Sequence, residues 1–228
     1  MSRNMRILMG VGLVAFVAII AIALKTTVFD KSGGGADPKV AGVDFMAKRI
    51  EVTIGTDEMI VGKADAPITI IEYASLGCSH CAAFHHDTYP KIKKNYIDTG
   101  KARLVFRDFP LGTRATAAAM ISNCAGPTKY FGFVDLFFKG QADWSQAQNA
   151  QVAMEQIARF GGMQASDVAA CLTNQKMIDK VEASKKIAVK KFDINATPSF
   201  VINGLVISGA HPYEDFRKLF DAELAKSK

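Results

Sequence analysis

The residues most able to do chemistry are gathered in one short segment, Cys78-Ser79-His80-Cys81. A Cys-x-x-Cys pair can help bind zinc, attach a haem, or cycle between dithiol and disulfide. Zinc needs a second ligand pair, and the sequence has no second Cys-x-x-Cys. Haem attachment needs histidine directly after the second cysteine, where Ala82 stands. Redox use remains, beside a purely structural disulfide. If the motif opens a helix, Cys78 sits among unpaired N–H groups at the positive end of the helix dipole, which favours its thiolate. His80 can add a hydrogen bond or a positive charge at the same sulfur. Cys81, one turn further in, is then the buried resolving thiol.

The surrounding pattern supplies the elements that this placement needs. Ile68-Thr69-Ile70-Ile71-Glu72-Tyr73-Ala74 is a β-branched run after Pro67 and reads as a buried strand ending at Gly77. Residues 82–97 read as a helix kinked by Pro90. Residues 103–109 form a second strand, stopped by Pro110. From Arg114 to Phe192 the pattern is helical, with breaks at Gly126-Pro127, Gly161-Gly162 and around Asn174. Ser199-Phe200-Val201-Ile202 and Leu205-Val206-Ile207-Ser208, joined by Asn203-Gly204, carry a two-residue hairpin signal. After Pro212 an amphipathic helix gathers Tyr213, Phe216, Leu219, Phe220 and Leu224 on one face.

The N-terminal part reads as separate from this fold. Residues 7–24 are uncharged and follow Arg3 and Arg6, the layout of a signal peptide or an uncleaved inner-membrane anchor. The run is longer than the usual h-region, which favours the anchor, although Ala21-Ile22-Ala23 offers a cleavage site. Either way the remainder is exported to an oxidising space. Residues 25–62 read as linker or stalk: Ser32-Gly33-Gly34-Gly35 is flexible, and residues 40–50 carry a weak helical pattern. The 228 residues are 49% hydrophobic and 22% charged, which excludes wholesale disorder. Without Arg3 and Arg6, 26 basic residues stand against 22 acidic ones, too thin an excess to indicate nucleic acid.

Three ordered motifs carry a family resemblance. Residues 71–81 (Ile-Glu-Tyr-Ala-Ser-Leu-Gly-Cys-Ser-His-Cys), Phe106-Arg107-Asp108-Phe109-Pro110-Leu111 and Ala196-Thr197-Pro198-Ser199-Phe200-Val201 resemble the DsbA-type thiol:disulfide oxidoreductases. The resemblance implies an α/β protein, a thioredoxin fold with an inserted all-helical domain: residues 63–228, with the insertion at about 113–192. It implies dithiol–disulfide exchange at Cys78 and Cys81 that introduces disulfides into exported proteins, without a cofactor. It matches Thr197-Pro198 to a cis-proline loop that binds substrate backbone opposite the sulfurs. It matches Glu72 to a buried acid that helps protons reach and leave Cys81. Implied partners are reduced, unfolded exported proteins and a DsbB-like membrane oxidase, with the protein in the bacterial periplasm, anchored or released. Cys124 shares a helical face with Ala117 and Ile121, and Cys171 with Val168 and Leu172. One subgroup of the family has a second disulfide at similar positions, so a structural Cys124–Cys171 bond is expected.

Alternatives remain open at this level. Ser79 stands where the best-studied family oxidases carry proline, and threonine before the cis-proline occurs in oxidases and isomerases alike, so an isomerase or reductase shares the pattern. Cys78, Cys81 and His85 could together hold copper in a redox chaperone; His85 and His86 read more simply as surface histidines. Lys185, Lys186, Lys190 and Lys191 read as a solvated helix face.

Overall fold

The computed structural model describes residues 39–40, 43–44 and 49–226. The apolar segment at residues 7–24 lies outside them; among the described residues no helix is long and apolar enough to cross a membrane. Strands β1 (Lys39–Val40) and β2 (Val43–Asp44) pair with each other antiparallel. Of residues 40–50, for which a helical pattern is expected, the described ones are not helical: residues 40 and 43–44 are in strands, and the Ile50 N–H bonds the Gly204 carbonyl.

A five-stranded sheet organises the rest. β3 (Met59–Gly62), β4 (Ile68–Ala74), β5 (Ala102–Asp108), β6 (Ser199–Ile202) and β7 (Leu205–Ser208) lie in the order β3-β5-β4-β6-β7. Only β4 and β5 run parallel; every other neighbour is antiparallel. β4 lies at the centre, and alternation along it sorts its side chains to two faces. Ile68 and Ile70 join Leu104, Phe200 and Ile202 on one side, while Ile71 and Tyr73 join Val105 and Val201 on the other. Each large apolar side chain fully buried this way contributes roughly 1.5–3 kcal/mol.

The sheet begins earlier than the sequence suggests. Residues 49–62 were expected within the linker, yet β3 pairs with β5 from Met59↔Phe106 to Gly62↔Arg103. Ile50, Val52 and Ile54 pack on the second face of the sheet, and Arg49 clasps Glu223 with two hydrogen bonds of 2.7 and 2.8 Å. Four residues of edge strand behind Asp57 and Glu58 are too short a run to stand out by pattern. The Asn203-Gly204 hairpin forms as expected, with φ of +46° and +89°, the left-handed pair that a two-residue turn of this type requires.

Helix α1 covers residues 79–97 and packs on the first face. It is α-helical over Ser79–Ala83 and Tyr89–Ile92 but widens to π-helix over Phe84–Thr88 and Lys93–Ile97. Just before Pro90, the Tyr89 N–H bonds the Phe84 carbonyl five residues back, which relieves the crowding a proline ring brings to the preceding turn. The expected kink is therefore a local widening.

Between β5 and β6 stand α2 (Thr113–Cys124), α3 (Tyr130–Lys139), α4 (Gln141–Gln146), α5 (Ala150–Phe160), α6 (Ala165–Leu172) and α7 (Gln175–Phe192). The expected breaks fall between elements; two further ones come at Gly140 and at residues 147–149. α7 returns to the sheet, where Ala188 and Phe192 bury against Tyr73 and Val105. Its lysines are not all solvated: Lys185 donates to the Pro110 carbonyl at 3.1 Å and lies over the Phe109 ring. α8 (Tyr213–Lys226) closes the first face with Phe216, Leu219 and Phe220.

Cys124 and Cys171 are joined by a disulfide across a sequence separation of 47 residues, tying α2 to α6. Chain-entropy arithmetic for a loop of that length gives about 4 kcal/mol at most. The double substitution Cys124→Ala, Cys171→Ala should accordingly lower the denaturant midpoint of a protein that still folds, by a stability loss of about 2–4 kcal/mol. An unchanged midpoint would show that the bond adds nothing.

Candidate active site

β4 delivers its chain end to the site through a loop that the structure holds from several sides. The buried Ser75 hydroxyl accepts from the Gly77 and Leu111 N–H groups at 3.3 and 3.2 Å. Gln141, at the start of α4, donates its amide to the Leu76 and Cys78 carbonyls at 2.6 and 3.0 Å. Sequence reasoning missed both residues. Gln141 lies 63 residues from Cys78, and nothing in its local pattern marks it.

Cys78 is the N-cap of α1, with extended backbone (φ −90°, ψ 121°), and is half-buried as a free thiol. Cys81 is fully buried. Their environments drive the two thiols apart. Cys78 is lowered to about 5: the Cys81 thiol donates to its sulfur, and this outweighs burial. Thr197 and the N–H groups of Cys81 and His80 add to the effect. Cys81 is pushed far above the ordinary thiol range, by burial first and then by its hydrogen bond to Cys78 and the charges of Cys78 and Glu72.

His80 acts here through its backbone. Its side chain is exposed, and the group that aids the Cys78 thiolate is the amide N–H. The Thr197–Pro198 peptide is cis and lies opposite. The Cys78 thiol donates to the Thr197 carbonyl at 3.4 Å. The Thr197 hydroxyl is buried without a hydrogen-bond partner, and Thr197 is among the groups that lower Cys78.

Glu72 sits beneath the motif with no exposure at all, and His85 Nε2 meets both of its oxygens at 3.0 and 3.1 Å. The surface reading of the histidines therefore holds for His86 and fails for His85, whose side chain is 8% exposed. The reason is helical spacing: His85 follows Cys81 by four residues and shares its inward face. That spacing was the signal available in the sequence. His85 Nε2 is engaged by Glu72, and among the described residues no three His, Cys, Asp or Glu side chains are grouped to hold a metal.

A helix that starts at a reactive cysteine on the end of the central strand, with a cis-proline loop across from it, defines the thioredoxin class. The chain belongs to the thioredoxin family, whose profile matches residues 55–222. Among solved structures it resembles Wolbachia pipientis alpha-DsbA1, at 32% identity and a TM-score of 0.71, over 77% of this chain and 96% of that one. Bacillus subtilis disulfide bond formation protein D is 26% identical over 170 residues, 72% of this chain and 76% of that protein. A Rickettsia bellii relative, whose name places it among the protein-disulfide oxidoreductases, is 32% identical over 161 residues. The match takes in 69% of this chain and 62% of that protein, so the chain spans less than two thirds of the relative's length.

The two thiols set opposite pH dependences. Cys78, at about 5 against the usual ~8.5, stabilises the reduced fold increasingly as pH rises from 5, in full above ~8.5. Cys81, raised, has no effect below ~8.5 and costs stability above it. The oxidised protein has neither thiol. The thermal midpoint of the reduced form should therefore gain on that of the oxidised form between pH 5 and ~8.5 and fall back at higher pH. Thiolate absorbance of the reduced protein should rise with a midpoint near 5; a midpoint at ~8.5 would contradict the site as described.

Proposed function

We propose that this chain is a thiol:disulfide oxidoreductase that donates disulfides to exported proteins. The observation that carries this reading is the split between the thiols, Cys78 as a half-buried thiolate at about 5 and Cys81 as a buried thiol. In the oxidised protein a substrate thiolate attacks Cys78, and Cys81 leaves as the sulfur that then takes a proton. A second substrate thiolate attacks the mixed disulfide and expels Cys78, a good leaving group because its anion is stable. Whatever stabilises that anion stabilises the reduced enzyme, so its disulfide is the more oxidising.

The other roles follow from position. Cys78 is the half-buried, attacked sulfur and Cys81 the resolving one. The His80 N–H supports the anion. Thr197 and Pro198 flank Cys78 and offer backbone to an extended substrate. Glu72 exchanges a proton with Cys81, which feels its charge. Reduced exported proteins are the substrates, and a membrane oxidase of the DsbB kind restores the disulfide. The periplasmic face of the inner membrane suits the uncharged segment at residues 7–24, whether it is kept as an anchor or cleaved.

Replacing Cys81 by alanine should trap mixed disulfides on Cys78, naming substrates and redox partner together; Cys78→Ser should trap none. The wild-type protein should oxidise reduced ribonuclease quickly and repair scrambled ribonuclease poorly. Its reduction potential should lie well above the roughly −270 mV of thioredoxin. Efficient repair with a thioredoxin-like potential would overturn the oxidase direction.

A further inference from the structure

Glu72 interrupts an otherwise apolar sheet face. Phe106 and Phe200 are its register neighbours on the two flanking strands, and the side chain is wholly enclosed. A carboxylate so placed is costly unless something answers its charge or its proton. Among the described residues the one side chain that bonds it is His85, through Nε2. His85 is held in turn by rings: Phe138 from α3 stacks on it at 4.3 Å and 25°, and Tyr89 lies at 4.9 Å. It is also less enclosed than its partner, with 8% of the side chain exposed against none for Glu72.

We infer that His85 is a positioning residue for Glu72 and the outer end of the proton path that serves Cys81. An imidazole suits this position because it has two nitrogens, one to hold the carboxyl and one to trade protons outward. The inference rests on the exchange reaction proposed above. When a substrate thiolate attacks Cys78 Sγ, the Cys78–Cys81 bond breaks and its electron pair leaves on Cys81 Sγ. The proton that neutralises this sulfur comes from the Glu72–His85 pair, and His85 regains one from solvent. In the reverse step, attack of Cys81 on the mixed disulfide, the proton leaves by the same route.

Other titratable groups face the pair without replacing it. Tyr89 on α1 and Tyr130 on α3 are both pushed above the ordinary phenol range by burial and by the Glu72 charge, so they stay neutral. The charges of Asp98 and Asp135 also act on Tyr89, and those of Asp108 and Glu58 on Tyr130. Cys78 and Cys81 close the near side. Of these, Asp108 is pushed up to about 6 by burial, in the range where a bend in the rate is expected, so it needs its own control.

The test is the reaction of the oxidised full-length protein with dithiothreitol from pH 5 to 8, quenched with acid and corrected for the thiolate fraction of the reagent. The wild type should show a bend in that profile. His85→Gln keeps a donor to Glu72 but cannot pass a proton. It should react roughly tenfold or more slowly at pH 7, lose the bend, and recover speed on addition of free imidazole, while Cys78 still ionises near 5. Glu72→Gln should lose the bend too, and Asp108→Asn should keep it. A His85→Gln profile parallel to wild type, or a slow one that imidazole does not restore, would overturn the inference and leave the exchange function standing. A wild-type protein that does not react with dithiothreitol would overturn both.

Discussion

The site depends on keeping two identical functional groups, one helical turn apart, in opposite protonation states. Cys78 ends the extended chain at the start of a helix, where the neighbouring thiol and the N–H groups of Cys81 and His80 favour its anion. Cys81 is inside, where a thiolate would have no comparable solvation and a buried carboxyl stands nearby. The hydrogen bond between them lowers one and raises the other, so each reinforces the other's state. A displacement of the loop by about an ångström would weaken that bond and narrow the difference.

Much of the remaining structure can be understood as preventing that displacement. β4 is the central strand, bonded on both edges, so the end of the strand is among the most fixed points in the fold. Ser75 holds the turn from within. The inserted helices hold it from above, through Gln141 on the Leu76 and Cys78 carbonyls and through Trp144, buried in the same cluster as Leu76 and Cys81. The insertion is therefore more than a lid. It supplies one hydrogen-bonding clamp to the loop and, through Phe138, one wall of the Glu72–His85 pair. The disulfide between α2 and α6 braces the body that carries these contacts.

The interior acid shows how function and stability oppose each other here. Glu72 occupies a position where any apolar residue would pack better against Phe106 and Phe200, and a buried ion pair is rarely a net gain over such packing. In the proposed exchange such an acid has a use, since Cys81 would gain or lose a proton at each step and is itself fully buried.

The local chemistry of this protein was written in the order of its residues. The Cys-x-x-Cys after a β-branched strand, the Asn203-Gly204 turn and the apolar face of α8 depend on neighbours within a few positions, where periodicity and backbone preference are decisive. Glu72 was marked as a buried acid only by the family resemblance of residues 71–81. What the sequence left undetermined depends on contacts between distant segments. β3 and residues 49–54 join the fold because β5 and the second sheet face are there to receive them, not through any strong propensity of their own. Gln141 reaches Cys78 only when the insertion folds back over the loop. The spacing from Cys81 puts His85 on the inward face, but its partners, Glu72 on one side and Phe138 on the other, come from segments that meet only in the folded chain.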